Sequence, residues 1–150
     1  MHQLLIQLQQ IIQQPNVVAP TVSKVGTYWH ADHTLRVINN IIKALQASNP
    51  SEYSRKFNLA RILVLTTGII PRGKARAPKA VLPPNDISQQ SLQLQLHDAL
   101  GNIELISTLE KNKHFAHPYF GFINVPTTNR FLQVHTKHHI NIINDIFKAN

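Results

Sequence analysis

Apolar residues recur with helical periodicity in four long stretches of this chain, and that pattern confines it to a helical architecture. Leu4, Leu5, Leu8, Ile11 and Ile12 share one face of a first helix over residues 2–14, which Pro15 closes. Leu35, Ile38, Ile41, Ile42 and Leu45 continue a second from Tyr28 to Ala47, ended by Asn49-Pro50. Leu92, Leu96, Leu100, Ile103, Leu105 and Leu109 carry a third, from a cap at Asp86 to about Glu110. The last starts after Pro126, with Thr127 or Thr128 available to cap it, and runs to Lys148. Between the second and third, the pattern of Ser54 to Ile70 is ambiguous: FNLARILVL would also suit a buried strand, but its length and the lack of a nearby pairing partner favour a short helix, ended by Gly68 and Pro71. Residues 71–87, PRGKARAPKAVLPPNDI, hold four of the nine prolines and read as loop throughout. The expectation is a single all-α domain over residues 1–150. It is a four-helix bundle with an extra short helix and a basic Pro-rich loop between the second and third long helices.

Composition narrows the chemistry. With no Cys there are no disulfides, thiol nucleophiles or thiolate metal ligands, so any metal must be held by His or carboxylate. Arg61 interrupts the most apolar stretch, Leu59 to Ile70, so no segment of the sequence is expected to cross a bilayer. The opening MHQLLIQLQQIIQQ has Gln threaded through its apolar positions and no basic leader. It reads as an amphipathic helix, which makes a cytoplasmic protein the default. The net charge of +8 invites a nucleic-acid reading, but the basic residues cluster. Arg72, Lys74, Arg76 and Lys79 sit in the Pro-bearing loop without interleaved aromatics for base stacking, so a solvated loop is preferred. An anionic small-molecule substrate would also suit it.

Nine His are the most informative residues. At about 100° per residue, His135 and His139 lie about 40° apart in the stripe formed by Phe131, Ile142, Ile143 and Ile146. His138 falls on the flank, in a supporting or surface role. Two imidazoles one turn apart can share an ion, and a facing helix must supply the third ligand. The second helix opens WHADH, where periodicity slightly favours His30 over His33 as the inward residue. Burying several imidazoles without a metal would leave ring nitrogens unpaired at about 1–3 kcal/mol each. Thr136 stands where a zincin needs its Glu, which sets that class aside. Asp32 points away from His33 and reads as a surface or capping residue.

HTKHH in the last helix, preceded by HPYFG, with WHADH opening the second helix, resembles the DinB/YfiT-like superfamily. The resemblance is to a branch with a His-Pro-x-Phe-Gly loop before a His-x-x-His-His helix, and it runs from Tyr28 to the C-terminus. It implies an up-down four-helix bundle holding a divalent ion, Zn or Ni, through one His of the second helix and a His-x-x-x-His pair of the last. Carried over by position, the pair is His135 and His139 and the third ligand His33, with His30 as the alternative. It further implies a metal-dependent enzyme, either a transferase using a low-molecular-weight thiol or a hydrolase, whose reacting group would be a metal-held water or thiolate. No catalytic side chain is identified. Trp29, Tyr119 and Phe120 are candidates to wall the pocket, although Tyr119 and Phe120 are expected chiefly to pack. The implied partner is a small-molecule substrate rather than nucleic acid or a membrane, with a homodimer left open. The competing reading is a non-catalytic binding protein with a structural metal site and a basic loop on nucleic acid or an acidic partner. Salt separates the two, because phosphate contacts weaken steeply as it rises.

Overall fold

All four periodic stretches form helices. The computed structural model describes residues 1–73 and 77–150. Over these residues the chain is mostly helical, with α1 (His2–Ile12), α2 (Thr27–Ala47), the short α3 (Leu59–Thr67), α4 (Gln89–Leu105) and α5 (Val125–Lys148). The central helix is α2, which packs on α1, α4 and α5, while α1 also touches α4 and α5. Leu8 and Ile12 of α1, Leu35, Ile38 and Ile42 of α2, Leu92 of α4, and Leu132 and Ile143 of α5 are sealed from solvent in one core. Among the described residues no helix is long and apolar enough to cross a membrane.

Helix ends depart from the sequence reading for local reasons. Ser88, not Asp86, caps α4: its Oγ accepts from the Ser91 amide at 3.0 Å, and Asp86 lies outside the helix, exposed. A short hydroxyl one residue before the first turn reaches the orphan amides, which a side chain two residues further back cannot. The helix tightens into a 3₁₀ turn at Ile106–Thr108, short of Glu110, and leaves Leu100 and Leu105 on the surface. At its start α5 takes in Pro126, whose missing N–H costs nothing in a first turn. Asn124 is the cap residue there. Thr127 and Thr128 instead donate back to its side chain and carbonyl at 2.8 and 2.9 Å. Asn16, from the connection after α1, caps α2 from outside by accepting from the Tyr28 amide at 3.1 Å and the Thr27 hydroxyl at 3.3 Å. Gly26 leaves room for it, since a Cβ there would stand 2.5 Å from the Asn16 Oδ1.

Two features were not expected. Between α4 and α5 a short antiparallel hairpin, β1 (His114–His117) and β2 (Gly121–Asn124), pairs His114 with Asn124 and His117 with Gly121. The 71–87 segment, read as loop throughout, contains a 3₁₀ turn at Lys79–Val81. The short helix α3 was expected, but its one buried residue is Arg61, which shares the inward face with the partly buried Val64 and Leu65. The guanidinium donates to the carbonyls of Phe120 at 3.1 Å, Phe122 at 3.0 Å and Lys56 at 2.6 Å, tying α3 to the hairpin. Arg61→Ala is expected to cost about 3 kcal/mol, roughly one for each carbonyl left without its donor. Arg61→Lys should recover only part, because an ammonium cannot reproduce the planar fork. Urea midpoints measure both; an alanine variant as stable as the parent would show the carbonyls re-solvate freely.

Candidate metal centre

The first turns of α2 bring His30 and His33 against the middle of α5, where His135 and His139 sit one turn apart. His33, His135 and His139 each offer a ring nitrogen, and the three atoms lie within 4.8 Å of one another. His33 and His139 are buried. His135 is only half-buried. The buried arc of α5 is wider than the sequence stripe, because Leu132, Thr136 and Ile140 are also covered. His139 therefore sits in the core and His135 at its edge.

The remaining nitrogens are largely tied down by hydrogen bonds. Nδ1 of His33 donates to the carbonyl of Val81 at 2.8 Å, which leaves Nε2 with its lone pair free. Val81 closes the 3₁₀ turn, so the end of the Pro-rich segment orients a site residue. Nδ1 of His139 meets Nδ1 of His30 at 3.0 Å, and Nε2 of His30 meets the Ser23 hydroxyl at 3.0 Å. If His139 donates to His30 and His30 to Ser23, Nε2 of His139 keeps its lone pair as well. His30 thus has both nitrogens engaged and stands behind His139, outside the three-nitrogen group. Among the described residues Nδ1 of His135 is buried without a hydrogen-bond partner. A buried imidazole nitrogen without a hydrogen-bond partner, on one ring of a group whose other two rings keep a free lone pair, suits a cation.

Electrostatics keep these rings neutral, the state in which imidazole ligates. Burial, then the charge of His33, lowers His30 from 6.5 to about 4. Burial holds His135 and His139 well below the ordinary value, and their histidine neighbours push the same way. His33 is lowered by burial, opposed in part by its bond to Val81 and by Asp32. His138, lowered by burial and by Arg72, lies edge-on to the His139 ring at 5.1 Å, in keeping with its supporting position.

Trp29 stacks on His33 with ring centroids 5.2 Å apart, and also borders a groove of about 840 Å³ edged by Pro83 and Pro84. The three histidines do not line that groove. Phe120 packs as expected: it is buried and stacks on His117 at 4.4 Å. Tyr119 is exposed. Sequence reasoning gave His117 no role, yet its Nδ1 accepts from the Tyr119 and Phe120 amides, both at 3.2 Å. Its ring rests against Phe131, which in turn stacks on His135. Burial lowers His117 to about 4. The surface role expected for Asp32 is wrong, since it is fully buried, accepts from Gln95 of α4 at 2.6 Å and pairs with Arg36. A buried carboxylate persists only with such partners. Of the candidate anion-attracting residues, Arg72 pairs with Asp145 at 2.8 Å and Lys79 is exposed. Lys74 and Arg76 lie outside the described residues. No protein-family model matches this chain, nor does any curated protein or solved structure.

Proposed function

We propose that His33, His135 and His139 hold one divalent metal ion, Zn or Ni, and that the chain is a metal-dependent enzyme of the DinB-like type acting on a small molecule. The convergence of three neutral ring nitrogens within 4.8 Å carries this reading. The outward hydrogen bonds of His33 and His139 support it, because ligating imidazoles are commonly held by a bond on their other nitrogen. Three protein ligands leave coordination positions open, the mark of a catalytic rather than a structural site. Bound there, the ion would supply Lewis acidity, toward a water in a hydrolase or toward the sulfur of a thiol cofactor in a transferase. The protein's own part is to orient and to wall. Val81 fixes the His33 ring and His30 that of His139, Trp29 stacks on His33 and Phe131 on His135, and His138 meets His139 edge-on. Asp32, engaged by Arg36 and Gln95, is not available as a base.

Metal analysis of the gel-filtered protein tests the reading, with one equivalent of Zn or Ni per chain expected. A chelator-treated chain that takes up neither ion would overturn it. Chelator-sensitive turnover of activated esters, or of an electrophile together with glutathione, bacillithiol or mycothiol, then separates hydrolase from transferase.

A further inference from the structure

The face of α3 opposite Arg61 is the least explained surface of the molecule. Leu59, Ile62 and Leu63 project into solvent, and so do Phe57 before the helix and Ile69 after it, at 82% and 67% exposure. Isolated exposed leucines need no account, but a run of large apolar residues on one short element marks a surface that something covers. The patch extends beyond α3. Asn58 donates to the Tyr119 carbonyl at 3.0 Å, which sets the tip of the hairpin, with exposed Tyr119, beside the start of the helix. At the other end Arg130 reaches the Leu65 carbonyl at 2.8 Å.

Charge indicates what covers it. Between Glu52 and Asp86 the sequence has seven Lys and Arg and no acidic residue. Next to the apolar face lies a cavity of about 180 Å³ lined by Arg55, Arg61, Tyr53, Thr66, Thr127 and Ile62. It offers guanidinium and hydroxyl donors and no carboxylate. Arg61 is 8% exposed, and among the described residues its hydrogen-bond partners are three carbonyl oxygens, which take three of its five N–H donors. Such a cavity favours a phosphate, and the apolar rim favours hydrocarbon beside it.

We infer that α3 and the adjoining cavity dock this protein on an anionic phospholipid surface, with Phe57, Leu59, Ile62 and Leu63 entering the interface and a lipid phosphate held near Arg55 and Arg61. Apolar insertion flanked by basic side chains is the chemistry of interfacial helices. A second copy of the chain would set two basic rims against each other, and a free anion would leave the apolar face uncovered. The sequence reading expected no membrane partner, because periodicity alone does not reveal that α3 turns Arg61 inward with Val64 and Leu65 and leaves Leu59, Ile62 and Leu63 exposed.

Co-sedimentation of the full chain with vesicles tests the inference. Binding is expected to phosphatidylcholine vesicles containing about 30% phosphatidylglycerol, to weaken as salt rises, and to be about tenfold or more weaker on phosphatidylcholine alone. The Leu59→Ser, Leu63→Ser double variant alters only exposed side chains, so its circular dichroism and melting should match the parent while its binding falls by about tenfold or more. Arg55→Glu should weaken binding to the anionic vesicles only. The inference is overturned by absent or charge-independent vesicle binding, or by a double variant that binds like the parent. Two further results would also overturn it: saturable uptake of inorganic phosphate without vesicle binding, or a parent dimer that the double variant converts to monomer.

Discussion

Replacing His139 by Ala is expected to strip the protein of stoichiometric metal, whereas His138→Ala keeps most of it. The difference follows from position. His139 is buried, offers one of the three converging nitrogens and is braced by His30, while His138 touches that ring edge-on and stays partly exposed. His33→Ala should match His139→Ala, since no other imidazole of α2 is free to replace it. His30→Ala is the informative intermediate. Its nitrogens are engaged by His139 and Ser23, so its loss should weaken the metal by about 10–100-fold, the usual effect of removing a group that orients a ligand. Competition with a chromophoric chelator ranks the variants. A His135→Ala, His139→Ala double variant that still held a full equivalent would place the ion elsewhere, and the enzymatic reading would fall with it.

The metal-free protein should lose stability steeply as pH falls from about 6.5 toward 4. In the unfolded chain each imidazole takes a proton near 6.5, but in the folded protein burial keeps His30 and His117 neutral down to about 4. Between those values the unfolded state binds more protons, so stability falls with pH and is fully present only above the unfolded value. Each such group accounts for roughly 3 kcal/mol across the window at about 1.4 kcal/mol per pH unit, and His135 and His139, also held well below 6.5, act in the same direction. Domains of this size have about 5–15 kcal/mol to lose, so acid unfolding is expected before pH 4. Saturating Zn should raise the whole curve at neutral pH and lose its effect as protons compete for the same nitrogens. Urea midpoints at intervals between pH 7.5 and pH 4.5 give the slope directly; a flat profile would mean that these rings are solvated and titrate normally.

Periodicity by itself was enough for the four long helices, because a core-facing stripe repeats over several turns and is recorded many times over in Leu35, Ile38, Ile42 and Leu45 or their counterparts. The same regularity selected His135 and His139 as neighbours on one face of α5. Periodicity leaned to His30 of WHADH where the resemblance gave His33, and it is His33 that joins the group, because a helix start fixes ring direction poorly: Nδ1 of His33 is held by the Val81 carbonyl, 48 residues away, while Ser23 and His139 engage His30. The hairpin escaped notice because its strands are four residues each, too short for alternation to register. Asp32 was misplaced, and the burial of Arg61 was not foreseen, for one shared reason. A charged residue reads as surface until a tertiary partner makes its burial affordable, and those partners, Gln95 in one case and the hairpin carbonyls in the other, come from elements distant in sequence. Local pattern thus determined which segments are helical and which faces carry imidazole, while long-range hydrogen bonds decided which nitrogens converge and which side of α3 meets the solvent.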